Sequence, residues 1–304
     1  MIEQNKHPGT RQIALFGEVL MDKFPDGHQV LGGAPFNVAW HLQAFGQAPC
    51  FISRVGDDAM GESIRRAMTD WGMAVDNVQI DPDYPTGTVK VTFNNGEPSY
   101  EILADQAYDF IAVPPGVSEN PYGVIYHGTL AVRGPVSEQA LNALKAGHGG
   151  KVFLDVNLRA PWWRREQVEQ WLGKANWVKL NHEELILLTP PQNTLREAMR
   201  GFVAHYDVDA LVVTCGGSGA MALDKAGGFF EVTPAVGLSV VDTVGAGDAF
   251  SSVLLLGMRL NWPLPLTLAR AQAFASAMVG QRGATVHDSD FYRPFIRDWN
   301  LDRG

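Results

Sequence analysis

The chain is poor in several things that would have signalled a function at once. It has two cysteines, Cys50 and Cys215, in 304 residues. That is no disulfide framework, and it suits a reducing compartment in which both thiols are small buried hydrophobes. No apolar run approaches the ~18 residues of a membrane span; the longest candidate, residues 253–256, is far too short. Residues 1–12 are polar and carry no apolar signal core. The expectation is therefore a cytoplasmic protein. Basic charge is also scarce: 24 Lys and Arg stand against 33 Asp and Glu, for a net charge of -9. An acidic surface repels nucleic acid and anionic membranes, so neither is expected as a partner.

Familiar catalytic signatures are missing too. There is no Gly-Lys-Ser/Thr, hence no P-loop. His182-Glu183 does not begin a zinc-protease motif, because position 186 is Ile186. Gly216-Gly217-Ser218-Gly219 has the wrong spacing for a nucleophile elbow. The eight histidines are scattered without metal-ligand spacing.

What is present is an ordinary globular composition with 46% hydrophobic residues, enough for a large core. Ile13-Ala14-Leu15-Phe16 is a short apolar run ended by Gly17, as in a buried strand. Residues 34–45 and 61–71 carry apolar positions at helical spacing and stop at Gly46 and Gly72, with a strand at 50–52 between them. The region 78–111 differs. Residues 88–93 and 99–103 alternate with period two around Asn94-Asn95-Gly96, which predicts a β-hairpin with one open face. We read this region as a small β-appendage. From residue 124 onward, strands at 124–126, 152–154, 177–180 and 210–214 alternate with helices at 137–145, 165–172 and 183–188. Two long apolar helices follow at 249–260 and 266–281. Alternating β and α elements predict a parallel sheet covered on both faces, with ligands beyond the carboxyl ends of its strands.

The run Asp242-Thr243-Val244-Gly245-Ala246-Gly247-Asp248 stands just before a helix. Unpaired N–H groups and the helix dipole make such a terminus an anion site, and small residues let the anion come close. Asp248 beside it suits proton removal from an attacking hydroxyl. It suits a helix cap equally well, and local physics leaves the two readings even. Asn181 with Glu184 reads locally as a helix start with acids in its first turn. Gly217-x-Gly219-x-x-Ala222 fits a loose dinucleotide fingerprint, but that fingerprint needs a helix next. Residues 220–232 read instead as strand, turn, strand, which argues against a dinucleotide site. Arg159, after the strand at 152–154, is placed to pair with phosphate or stands as a surface cation beside Trp162 and Trp163; Arg164-Arg165 reads as a solvated face.

Asp242-Thr243-Val244-Gly245-Ala246-Gly247-Asp248-Ala249-Phe250 resembles the C-terminal signature of the ribokinase-like (PfkB) carbohydrate kinases. Gly32-Gly33-Ala34-Pro35-Phe36-Asn37-Val38-Ala39 and Val55-Gly56-Asp57-Asp58-Ala59-Met60-Gly61 resemble the N-terminal one. Between them stand Asp155-Val156-Asn157-Leu158-Arg159, Asn181-His182-Glu183-Glu184 and Thr214-Cys215-Gly216-Gly217-Ser218-Gly219, in the family's order. The resemblance runs from residue 13 to about 287. The phrasing, including Gly17-Glu18-Val19-Leu20-Met21-Asp22, is closest to bacterial fructokinase-like members.

The resemblance implies a three-layer α/β/α sandwich with a mostly parallel central sheet, one kinase domain over residues 1–304, and a β-lid at roughly 85–105 with parts near 20–30. It implies ATP-dependent phosphorylation of a sugar lying between lid and core, with ATP in a groove formed by the later loops. Asp248 would be the base, and the amides of Gly245, Ala246 and Gly247 the anion hole. Asp22, Gly33, Asn37 and Arg159 would bind the sugar. Asn181, Glu184, Thr214, Gly216 and Gly219 would serve the nucleotide. Glu184 would act on Mg²⁺ through water. Asp242, Val244, Gly283 and Ala284 would hold K⁺; locally, 282–284 is simply a turn that ends a helix. Fructose is the acceptor the phrasing favours. 2-Keto-3-deoxygluconate, ribose, a nucleoside or an aminoimidazole ribose stay open, as does a catalytically silent sugar- or nucleotide-binding regulator. The lid can stay free or pair across a homodimer.

Overall fold

The computed structural model describes residues 12–94, 97–116, 122–146, 149–235, 237 and 239–303. The first strand, β1 (Ile13–Phe16), shows how the layers arise. Ile13 and Leu15 enter one core and Ala14 and Phe16 the other. A strand with both faces covered needs apolar residues throughout.

In chain order the elements are β2 (Leu20–Lys23), β3 (Gln29–Gly32), α1 (Ala34–Ala44), β4 (Cys50–Gly56), α2 (Ala59–Asp70), β5 (Val78–Asp81), β6 (Gly87–Asn94) and β7 (Glu97–Ile102). Then come β8 (Val124–His127), α3 (Pro135–Ala146), β9 (Lys151–Asp155), α4 (Arg165–Leu172), β10 (Trp177–Asn181), α5 (His182–Leu188) and α6 (Leu195–Tyr206). The chain continues through β11 (Ala210–Thr214), β12 (Ala220–Asp224), β13 (Phe229–Val232), α7 (Ala246–Arg259), α8 (Leu264–Met278) and α9 (Arg293–Asp298).

The described residues build one nine-stranded sheet in the order β13-β12-β11-β10-β9-β8-β1-β4-β5. It is parallel from β11 to β5, and β12 and β13 are antiparallel at one edge. Helices α1, α2, α7 and α8 pack their apolar residues on one face, and α3, α4, α5 and α6 on the other. This is the expected three-layer α/β/α sandwich. Residues 220–232 form strand, turn and strand, so the helix a dinucleotide fingerprint needs is not there.

A second, four-stranded sheet has the order β3-β2-β6-β7. It contains the hairpin and the stretch near 20–30. The turn residues Asn95 and Gly96 lie outside the described residues. Part of the 78–111 region belongs elsewhere: β5 pairs parallel with β4 at the edge of the large sheet. Its four residues are too short for periodicity to show which sheet they join. Helix α6, absent from the sequence reading, starts with a reciprocal cap. The Thr194 hydroxyl accepts from the Glu197 N–H at 3.2 Å, and the Glu197 carboxylate from the Thr194 N–H at 3.1 Å. Thr194-x-x-Glu197 ahead of an apolar run was the available signal.

Helix α7 anchors the site. Residues 249–257 are buried without a break. A methyl on Gly257 would meet Thr267 at 2.3 Å, so glycine lets α8 press against it. Several buried leucines at roughly 1.5–3 kcal/mol each hold the helix in place.

Candidate active site

The loops after β1, β9, β10 and β11 leave the sheet at one edge, because these strands are parallel. Asn181 and Thr214 are direct register partners there. The first turn of α7 faces the same edge.

Gly245 caps α7 in the left-handed conformation (φ 77°). A Cβ there would meet Ala284 at 2.4 Å. Both the backbone angle and the packing therefore require glycine. The Ala246 N–H bends back to the Thr243 carbonyl at 3.3 Å. Among the described residues the N–H groups of Gly245, Gly247 and Asp248 donate to no acceptor, so the turn is a preformed anion cradle. Ala246, expected as one of its donors, is partly committed elsewhere.

Asp248 caps nothing: no side-chain cap bond closes α7. Its Oδ2 instead accepts from Asn37 Nδ2 of α1 at 2.7 Å, across 211 residues of sequence. Burial raises its pKa to about 6, with Asp155 adding to the rise while Asn37, Lys179 and Arg159 hold it down. The bond to Asp248 leaves Asn37 Oδ1 buried and without a partner.

On the other side lies Asp22 of β2, which pairs with Val89 of β6 and so shares a face with it. Burial raises its pKa to about 6, and Arg159 opposes that. Gly33 separates β3 from α1. Its φ of 110° is open to glycine, and a Cβ would strike the Glu18 carbonyl oxygen at 2.6 Å. That close approach brings α1 and Asn37 down onto the loop after β1. Arg159 is exposed, and its charge acts on Glu18, Asp22, Asp248 and Tyr100. The Trp162 N–H donates to the Arg159 carbonyl at 2.7 Å, while the Arg133 guanidinium covers the Trp162 ring at 4.1 Å.

On the side expected to serve the nucleotide, Asn181 Oδ1 accepts from the Glu184 N–H at 2.8 Å, and Glu184 Oε2 accepts from the Asn181 N–H at 2.9 Å. The helix-start reading of this pair thus holds. Glu184 Oε1 also accepts from the Leu158 N–H at 2.6 Å, which ties the loop carrying Arg159 to α5. Burial raises the Glu184 pKa, against these two N–H donors. Among the described residues no group of three or more His, Cys, Asp or Glu side chains could hold a metal ion. A carboxylate with both oxygens engaged fits a metal through water rather than directly. Gly216 and Gly219 enclose a tight loop after Thr214, closed by the Cys215 N–H on the Gly219 carbonyl at 2.7 Å. Asp242 accepts from the Val244 N–H at 3.0 Å and the Gly283 N–H at 2.9 Å. This braces Asp242, Val244, Gly283 and Ala284 into one cluster behind Gly245. A K⁺ there would rest on carbonyl oxygens, since the Asp242 oxygens are engaged.

Four residues at the site escaped the sequence reading. Glu18 is 3% exposed, its Oε2 has no partner, and burial raises its pKa to about 7. An acid directly after an apolar strand was the signal. Lys179 is a lone cation within the apolar β10. Ser251 lies one turn beyond Asp248. Tyr100 of β7 pairs with Val91 and shares its face, yet is 53% exposed where Val91 is 2%. Burial, Asp22 and Asp242 raise its pKa, so its hydroxyl feels the charge of both carboxylates.

A preformed anion cradle beside a poorly hydrated carboxylate, at the carboxyl edge of a parallel sheet, defines an α/β phosphotransferase. Residues 10–290 match the family model described as pfkB family carbohydrate kinase, and the chain belongs to that family. It is 30% identical to a fructokinase of Klebsiella pneumoniae over 93% of this chain and 98% of that one. It is 26% identical to the aminoimidazole riboside kinase of Salmonella typhimurium, over 89% and 85%. A crystal structure of fructokinase from Vibrio cholerae O395 in fructose-, ADP- and calcium-bound form superposes with a TM-score of 0.78 at 26% identity, covering 93% of this chain and 98% of that one. The protein is thus a sugar kinase on a ribokinase-like fold, and among the described residues no helix is long and apolar enough to cross a membrane.

Proposed function

We propose that this kinase transfers the γ-phosphate of ATP to a hydroxyl of fructose, with Asp248 as the base. The observation that carries the reading is the Asn37–Asp248 bond at 2.7 Å, which joins the sugar side of the cleft to the anion cradle. In the reaction the sugar O–H gives its proton to the Asp248 carboxylate. The oxygen attacks the γ-phosphorus in line, the bond to the bridging oxygen breaks, and ADP leaves. Gly245, Gly247 and in part Ala246 stabilise charge on the moving phosphoryl through their amides.

The sugar lies between the large sheet and the four-stranded lid, held by Asp22, Gly33, Asn37 and Arg159, with Tyr100 above. Two buried acceptors, Glu18 Oε2 and Asn37 Oδ1, lack donors, and sugar hydroxyls supply them. Asn181, Thr214, Gly216 and Gly219 line the nucleotide side. Glu184 would orient water on Mg²⁺, which when bound neutralises phosphate charge. Asp242, Val244, Gly283 and Ala284 would hold K⁺. Residues 1–304 act as one kinase unit. Two free thiols, Cys50 and Cys215, suit the cytoplasm. A homodimer would form through an edge of the lid sheet, β3 or β7, and sedimentation reads it.

The test is ADP release with fructose, 2-keto-3-deoxygluconate, ribose and nucleosides, with and without K⁺. Fructose should give the highest kcat/KM. Faster turnover of a riboside, as the likeness to aminoimidazole riboside kinase would favour, moves the acceptor but keeps the chemistry. Sugar binding without ADP release from any acceptor would instead mark a silent regulator.

A further inference from the structure

Beneath the cradle lies a buried polar cluster that no step above uses. Lys179 of β10 and Asp155 of β9 are register partners. Lys179 Nζ donates to both Asp155 oxygens at 3.1 Å, and Lys179 is 7% exposed. Ser251 Oγ donates to Asp155 Oδ2 at 2.6 Å and lies 3.0 Å from the Gly247 carbonyl, inside the first turn of α7. Tyr126 OH of β8 donates to the same Asp155 oxygen at 3.3 Å. A methyl built on Gly247 would lie 3.2 Å from Lys179 Nζ. The ammonium thus fills the space a side chain would take, directly under the cradle.

We propose that Lys179, Asp155 and Ser251 form a positioning network that seats Gly247 and Asp248 from below and balances the charge around the base. It rests on the reading of Asp248 as that base. An ammonium has three donors. Two go to Asp155 and the third has no partner among the described residues, on the side of Gly247. Ser251 ties α7 to the sheet, so the cradle moves with β9 and β10 and not independently of them. Around Asp248 stand Asn37 of α1, Glu18 after β1, Tyr126 of β8, Asp155 and Arg159 of β9 and its loop, and Lys179 of β10. Within this set Lys179 stabilises the ionised base and Asp155 destabilises it. The two halves thus oppose each other, and each alone pushes Asp248 in an opposite direction.

That opposition is the test. The acidic limb of kcat/KM against pH is measured for the full chain with ATP and the best sugar of the panel. In parallel, Asp248 is titrated directly by NMR of ¹³C-carboxyl aspartate, assigned with Asp248→Asn. Lys179→Met should move both the limb and the Asp248 titration up by about one pH unit, and Asp155→Asn should move both down by a similar amount. The double variant, whose pair is neutral, should return near the unmodified protein. Ser251→Ala, a milder change that keeps the charges, should lower kcat roughly tenfold with KM for the sugar unchanged and little shift in pH. General loss of structure would not reverse sign between two single variants. Shifts in the same direction, no shift in the directly titrated Asp248, or an unchanged kcat in Ser251→Ala would each overturn the network. Failure of the base reading is separate: it would show as near-normal turnover in Asp248→Asn, whatever the NMR titration gives.

Discussion

Replacing Asp248 with asparagine should abolish most activity and make the protein more stable. The folded carboxyl has a pKa of about 6, against about 3.9 in an unfolded chain. Between those values the folded state keeps a proton that the unfolded state has lost. Stability therefore falls as pH rises from about 4 to about 6 and stays low above that. The full penalty at pH 7 is about 3 kcal/mol. Asparagine accepts the Asn37 N–H as the carboxylate does, without the hydration penalty. The gain is therefore about 3 kcal/mol at pH 7, or roughly 5 °C in Tm for a chain of this size. At pH 4 the gain shrinks to about 0.5 kcal/mol, because the carboxyl is then neutral in the fold and only about half ionised in the unfolded chain. Turnover should drop roughly 10²–10⁴-fold. Thermal melts at pH 4 and pH 7, with ADP release at pH 7, read all three effects. A helix-capping role predicts the reverse, a loss of about 1 kcal/mol with activity kept. A destabilised variant that still turns over would refute the argument.

Three further outcomes follow from the same geometry. Asp22→Asn should raise KM for the sugar about tenfold with kcat little changed, because it removes one charged acceptor of the bound hydroxyls; steady-state kinetics reads this. Gly245→Ala should cost at least ~1–2 kcal/mol for the left-handed turn alone, more with the clash on Ala284, and a melt with an activity assay should show both falling. Arg133→Met should destabilise by about 3–5 kcal/mol in urea denaturation. Its Nε and Nη2 each hold an Asp109 oxygen at 2.7 Å in a buried pair, and removing the cation strands the carboxylate.

The cleft gathers acid that is poorly hydrated. Glu18, Asp22 and Asp248 all have raised pKa values, from burial first, and all feel the charge of the exposed Arg159. Such a site is unfavourable on its own, and the hydroxyl donors of a bound sugar would relieve it. On the reading of Asp248 as the base, catalysis is tied to instability: the hydration withheld from its carboxylate would keep it basic enough to take a proton near neutral pH.

How much of this was legible from the chain depends on where each residue's partner lies. The strand–helix alternation after residue 124 was readable because it is local. So was the strand, turn and strand of residues 220–232, which dismissed the dinucleotide fingerprint. Motifs on loops and helix starts were readable because glycine, asparagine and acid punctuate the sequence at the turns after the strands. The layer beneath was not. Lys179 sits in Trp177-Val178-Lys179-Leu180, where periodicity reports an apolar strand and a lone cation looks incidental. Its partner Asp155 is 24 residues away, and Ser251 reaches that same carboxylate from 96 residues away. Those distances close only when the parallel register of β9 and β10 sets Asp155 opposite Lys179. Asn37 shows the same limit. It reads as a sugar ligand at a helix start, and its bond to Asp248 across 211 residues exists only because Gly33 lets α1 settle onto the loop after β1. Local pattern thus names the candidates for meeting a ligand, while the groups that hold them in place are fixed by pairing between elements distant in sequence.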